Sequence, residues 1–157
     1  MKLQSALEYL TTYGWAILII SIVIVALFTI INLTAQPQQI CVLPAGFSCS
    51  GFYMQSFTPG TENVVINLQQ ATQYPIQVTA VGCSNPVNLG DTYALSTPVT
   101  LQVGGNYIFT AQCFSNGTAY VGTIGKTYGG YFVVNYTNAY TGFPNTVYGR
   151  INVPIIG

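Results

Sequence analysis

The side chains able to do chemistry in this sequence are few. The chain has no histidine; its acids are Glu8, Glu62 and Asp91, its cations are Lys2, Lys126 and Arg150, and its four cysteines are Cys41, Cys49, Cys83 and Cys113. General acid–base catalysis needs a group positioned to exchange a proton with substrate, and beyond the N-terminal stretch only Glu62 and Asp91 qualify. Two carboxylates can form a glycosidase pair. However, Glu62 in "PGTEN" and Asp91 in "LGDTY" stand in turn-like contexts, where acids are ordinarily solvated. The glycines of "VGGNY" and "YGGYF" fall between strand-like runs, where they serve turns; neither opens a helix as a phosphate-binding loop would. No catalytic residue, metal ligand or cofactor is expected. Lys126 and Arg150 read as solvated, or as paired with Glu62 and Asp91 at a subunit contact.

Glu8 is the exception that needs a reason. It heads a long apolar run and is the only charged residue between Gln4 and Thr61. From Trp15 to Ile31 only Ser21 and Thr29 interrupt the apolar side chains, and both hydroxyls can return to the preceding helical turn. A helix over residues 4–33 would be about 45 Å long, more than the roughly 30 Å of a bilayer's hydrocarbon core. A carboxylate in such a segment costs at least about 2.5 to 3.5 kcal/mol at the bilayer centre, so it calls for a cationic partner or a place at the water interface.

Composition frames these residues. Half the chain is hydrophobic and 4% is charged, against roughly 25% charged in an average soluble protein. With three cations there is no basic footprint for nucleic acid. Disorder is excluded as well, because it needs low hydrophobicity and high net charge. The N-terminal segment admits three readings. One is a cleaved secretory signal, for which "NLTAQPQQ" offers a weak cleavage site at Ala35. A second is a simple anchor held by Lys2. The third is a retained apolar helix that packs against copies of itself after removal of a short leader, residues 1–3, ahead of Gln4.

The stretch "QSALEYL", preceded by Lys2 and followed directly by the apolar helix, resembles the class III signal peptide of archaeal type IV pilins. The resemblance implies cleavage by a prepilin peptidase between Leu3 and Gln4. Glu8 would then occupy the place where pilin-like proteins typically carry glutamate, and the new α-ammonium of Gln4 would give it a partner, on its own chain or on a neighbouring subunit, that fixes the register of assembly. The resemblance further implies a homopolymer displayed outside the cell, and as partners an assembly ATPase and a membrane platform protein. Two alternatives are an archaellum filament subunit and a monomeric, membrane-anchored cell-surface binding domain.

Beyond the helix, "TAQPQQ" with Pro37 reads as a linker over 34–40. The remainder, 41–157, changes to extended periodicity, with strands expected at 63–68, 76–81, 99–103, 107–114, 119–124, 131–136 and 146–153. "GGN" at 104–106 and "SNGT" at 115–118 are hairpin signals. The expected fold is therefore α+β: an apolar helix followed by an immunoglobulin-like β-sandwich of about seven strands. Twelve tyrosines suit an exterior that lacks charge; a sugar-binding aromatic surface is the sharper reading of them.

In an exported chain the four cysteines point to two disulfides. Three pairings are possible; the favoured one joins Cys41 to Cys49 at the neck and Cys83 to Cys113 within the β-domain. Without a CxxC spacing or a histidine, metal binding is the weaker reading of them. Asn32, Asn116 and Asn135 each open an N-glycosylation sequon. Of these, Asn116 lies at an expected turn and Asn32 is close to the membrane or filament core.

Overall fold

The computed structural model describes residues 2–34, 38–58 and 61–157. The chain divides into two compact units, Met1–Pro37 and Gln38–Gly157. The first is a single helix, α1 (Lys2–Thr34). It begins two residues ahead of the expected Gln4, so the leader-like residues Lys2 and Leu3 continue the helical backbone. Of the expected linker, 35–37 lies outside the described residues.

The second unit contains β1 (Ile40–Val42), β2 (Phe47–Thr58), β3 (Thr61–Gln70), β4 (Ile76–Asn85), β5 (Thr92–Leu101), β6 (Asn106–Ser115), β7 (Thr118–Ala119), β8 (Thr127–Asn138) and β9 (Pro144–Ile156). Four antiparallel hairpins follow one another along the chain: β2–β3, β4–β5, β6–β7 and β8–β9. Alternate hairpins join the same array. Pairing of β4 with β8 builds β5-β4-β8-β9, with β1 added on β9, and pairing of β3 with β6 builds β2-β3-β6-β7.

The two arrays are not separate sheets. β2 pairs in parallel with β9 at Met54↔Ile155 and Gln55↔Ile156, and β4 pairs in parallel with β6 from Cys83↔Cys113 to Asn85↔Ser115. The circuit β4-β8-β9-β2-β3-β6 therefore closes on itself as a six-stranded barrel. An immunoglobulin-like sandwich would leave both arrays with open edges. The expected α+β class holds; the open sandwich is replaced by a ring with two short parallel seams.

The core is built by alternation. Val64, Ile66 and Leu68 of β3 face inward, as do Phe132 and Val134 of β8 and Ile151, Val153 and Ile155 of β9, all at most 2% exposed. β2 escapes a period-two reading because a bulge between Cys49 and Gly51 shifts its phase, so that Phe47 and Cys49 face the core before it and Phe52 and Met54 after it. The expected strand at 119–124 reduces to β7, and Tyr120 onward is loop. At "SNGT" the turn is as expected: Asn116 (φ 51°) and Gly117 (φ 77°) both adopt the left-handed region of a two-residue hairpin. At "GGN" it is not. β5 and β6 belong to different arrays, and the turn is tied instead to the end of β3, with Gly104 N donating to Gln70 O (2.8 Å) and Gln70 N to Gly105 O (2.9 Å).

Both disulfides sit at the seams. Cys83–Cys113 joins directly paired residues of β4 and β6, with Cα atoms 4.4 Å apart. Cys41–Cys49 ties β1, which is hydrogen-bonded to β9, to β2 across the other seam. Their sequence separations are 30 and 8 residues, for which chain entropy gives about 3.7 and about 2.6 kcal/mol. Replacing Cys83 and Cys113 together by alanine is expected to lower the denaturation free energy by about 3 to 4 kcal/mol, and replacing Cys41 and Cys49 by about 1 kcal/mol less; denaturant titration of the full chain in detergent measures both.

Candidate functional site

Two places in the structure concentrate unusual chemistry: the apolar helix with its single acid, and a carboxylate buried inside the barrel. In α1 the stretch Ala6–Ile31, 26 residues containing an 18-residue window of mean hydropathy 2.8, is long and apolar enough to cross a membrane, and none of that window is buried within the chain's own structure. Apolar side chains point to all sides: Trp15, Ile17, Leu18, Ile19 and Ile20 are each at least 45% exposed. A helix without a polar stripe has to be surrounded, by lipid or by other helices. At about 1.5 to 3 kcal/mol per large apolar side chain, covering this surface is worth on the order of tens of kcal/mol.

The helix also hides its own hydroxyls. Ser21 Oγ donates to Ile17 O (2.8 Å), Thr29 Oγ1 to Ala26 O (2.8 Å) and Thr12 Oγ1 to Glu8 O (2.8 Å), while Thr11 Oγ1 lies 3.0 Å from both Leu7 O and Glu8 O. These four hydroxyls, which could oppose an apolar setting, are thereby satisfied within the helix. Glu8 cannot be treated this way, because its carboxylate has no donor to give back. It is exposed near the head of the helix, next to Tyr9, whose ring lies tilted against that of Tyr13 with centroids 4.4 Å apart. The backbone at Leu3 and Gln4 is helical, and Gln4 stands four residues before Glu8, the spacing that puts two positions on one helix face.

Glu62 differs from expectation. It is 3% exposed, not a solvated turn acid. The strand register explains this: Glu62 is in phase with Val64, Ile66 and Leu68, so the pleat that buries those three also turns Glu62 inward. Extending that alternation by one step from Val64 is the sequence signal that finds it. Its Oε1 accepts a 3.4 Å bond from Gly122 N, and Oε2 is the one buried side-chain polar atom without a partner among the described residues. Asp91 lies elsewhere, half-buried ahead of β5, and accepts a 2.9 Å bond from Asn88 Nδ2. Lys126 and Arg150 are exposed, and burial takes Glu62 out of the surface pairing expected for it. Among the described residues no three metal-ligating side chains come together.

Tyr120 and Tyr128 pack edge to face beside this acid, with centroids 4.6 Å apart. Burial, and secondarily the charge of Glu62, pushes the Tyr120 phenol above its ordinary range. Tyr128 is raised further by burial, then by Tyr120 and Asp91, and its hydroxyl donates to Phe114 O at 2.9 Å.

The sequons fall in unlike settings. Asn116 is exposed at its two-residue turn, with Thr118 Oγ1 donating to Ser115 O at 2.8 Å. Asn135 is half-buried in the middle of β8; its Nδ2 donates to Thr92 Oγ1 (3.3 Å) and its Oδ1 accepts from Thr146 Oγ1 (2.8 Å). The side chain of Asn32 lies outside the described residues.

The phenol shifts have a definite sign. A folded state that holds Tyr128 neutral above the unfolded value near 10 keeps this contribution in full below pH 10 and loses it as the pH rises further, by about 1.4 kcal/mol per unit. Tyr128→Phe is expected to cost about 1 kcal/mol at neutral pH through the lost hydrogen bond and to flatten the decline above pH 10, as read from denaturation midpoints between pH 8 and 12. In comparisons with models of known families and with curated protein sequences, the chain matches none.

Proposed function

We propose that this protein is a structural subunit of an extracellular archaeal type IV pilus, one that polymerises through α1 and serves surface adhesion. The observation that carries the reading is a helix of membrane-spanning length, apolar on every side, unburied within its own chain and with Thr11, Thr12, Ser21 and Thr29 bonded back to its backbone, belonging to a chain whose other unit is a closed, disulfide-stapled barrel. One apolar helix and two disulfides point to a membrane-anchored or extracellular protein. The filament is the further step. Such a helix rests in lipid before assembly and exchanges lipid for the helices of its neighbours afterwards, so its exposed surface is covered in both states.

A shallow notch lined by Leu18, Ser21, Ile22, Val25 and Ala26 fits this use, because small side chains let a second helix approach closely. We read the two antiparallel arrays as the sheets of a sandwich whose edges have joined; this barrel would form the outer layer. Prepilin peptidase, assembly ATPase and membrane platform protein are the partners this reading requires. Its role is mechanical, with no catalytic step assigned to Glu62 or Asp91.

Processing between Leu3 and Gln4 would create an α-ammonium on the Gln4 backbone, and Glu8 would pair with it in its own or an adjacent subunit. Breaking a buried pair leaves an uncompensated charge, whereas the pair itself chiefly specifies register. Peptide mass spectrometry on material sheared from native cells is expected to find Gln4 as the first residue. Glu8→Ala is expected to reduce sedimentable filament about ten-fold or more, equivalent to about 1.4 kcal/mol or more per assembly step, with the subunit still membrane-inserted. Intact Met1 on protein that stays with the membrane, together with an inert Glu8→Ala, identifies an anchored monomer instead.

A further inference from the structure

A groove of about 380 Å³ opens on the outer face of the barrel, lined by Asn85 of β4, Gly129, Gly130 and Tyr131 of β8, and Arg150 and Asn152 of β9. Its floor includes two successive glycines near the start of β8, paired to Asn152 and Ile151 of β9. Glycine weakens a strand, so each calls for a cause. Gly130 has one inside the protein, since a Cβ there would meet the Tyr128 ring at 2.6 Å. Gly129 has none: a Cβ there would meet only Asn152 Oδ1, at 3.9 Å. What the missing side chain keeps open is the groove.

The walls are held in fixed orientations. Asn85 Nδ2 donates to Gly129 O (2.8 Å), and Asn152 Nδ2 donates to Gln38 O (2.8 Å). With both amide nitrogens committed to backbone carbonyls, Asn85 Oδ1 and Asn152 Oδ1 are left as acceptors. Arg150, exposed and opposite Tyr131 in the ladder, adds a cation. The Tyr131 ring is half-buried and packs edge to face with Tyr148, centroids 6.3 Å apart, which fixes an aromatic surface at one end. Gly129 is paired to Asn152 on one side, and on the other its carbonyl is taken by the Asn85 amide.

From this geometry we infer that the groove binds an acidic sugar of the uronate class. Fixed carbonyl acceptors suit the hydroxyl donors of a pyranose, the guanidinium suits a carboxylate in a two-bond fork, and the tyrosine ring offers its face to the apolar side of the sugar. The site does not depend on the pilus reading, since it lies wholly within the barrel.

The test uses the full chain in detergent, with trigalacturonate as probe and maltotriose as its uncharged counterpart, followed by calorimetric titration and by tyrosine fluorescence. Saturable binding of trigalacturonate is expected, at least about ten-fold tighter than maltotriose, the preference that a charge-assisted fork to Arg150 supplies. Gly129→Val fills the floor with a side chain that a strand accommodates well and should abolish binding of both sugars while leaving the melting temperature within a few degrees. Arg150→Gln should remove the preference for the acid. Absence of trigalacturonate binding overturns the proposal, as does binding that survives Gly129→Val. Equal affinity for the two sugars overturns the assignment to acidic ligands, and loss of self-association rather than sugar binding in Gly129→Val assigns the groove to a second copy of the chain.

Discussion

The barrel depends on the closure of two seams. Within each array the strands run antiparallel over long registers, eleven paired positions between β8 and β9 for example, whereas the arrays meet through only two parallel pairs on one side and three on the other. Parallel pairing is slightly weaker per residue, and so few bonds would not hold two curved sheets edge to edge. Covalent bonds lie at both places where hydrogen bonding is thinnest. Cys83–Cys113 lies within one seam and is wholly buried, and Cys41–Cys49 reaches over the other by way of β1. Closure pairs the edges of β2 with β9 and of β4 with β6, which two separate sheets would leave open.

What could be read from the sequence follows the length scale of each signal. The apolar helix, the alternation in β3, β4, β6, β8 and β9, and the turn at Asn116–Gly117 are local patterns, and local patterns survive folding. β2 was hidden because the bulge after Cys49 moves its inward phase from Phe47 and Cys49 to Phe52 and Met54, so no single alternation describes it. Closure was hidden for a different reason. "GGN" looks the same whether the strands beside it pair with each other or with strands of different arrays, and only tertiary contact with Gln70 decides. Glu62 shows the cost of weighing local context over register: its "PGTEN" surroundings suggest a turn, while its phase with Val64 places it inside. The groove over Gly129 was invisible for want of any signal that separates a glycine required by its neighbours from one they would release.

The two units solve the problem of a nearly uncharged chain in opposite ways. The helix returns the hydroxyls of Thr11, Thr12, Ser21 and Thr29 to its own backbone and leaves an apolar surface unburied within the chain. The barrel buries an apolar core and faces water with amides, hydroxyls and tyrosines, among which apolar side chains such as Ile108, Val121, Ile124 and Phe143 are also exposed. Asn, Gln, Thr and Ser are dipoles without net charge, so this exterior exerts little repulsion between neighbouring copies at any salt concentration. The specificity of any contact this surface makes then rests on shape and hydrogen bonding more than on charge.

The placement of β9 has a temporal meaning. This strand pairs with β8, β1 and β2 and so takes part in one array and one seam, yet among the nine strands it is the last to be made. A chain emerging from its N-terminus can form the β2–β3, β4–β5 and β6–β7 hairpins early, because their partners are adjacent. It cannot close the ring until residues 144–156 have appeared. Closure of the β2–β9 seam is thus tied to the last-made of these strands.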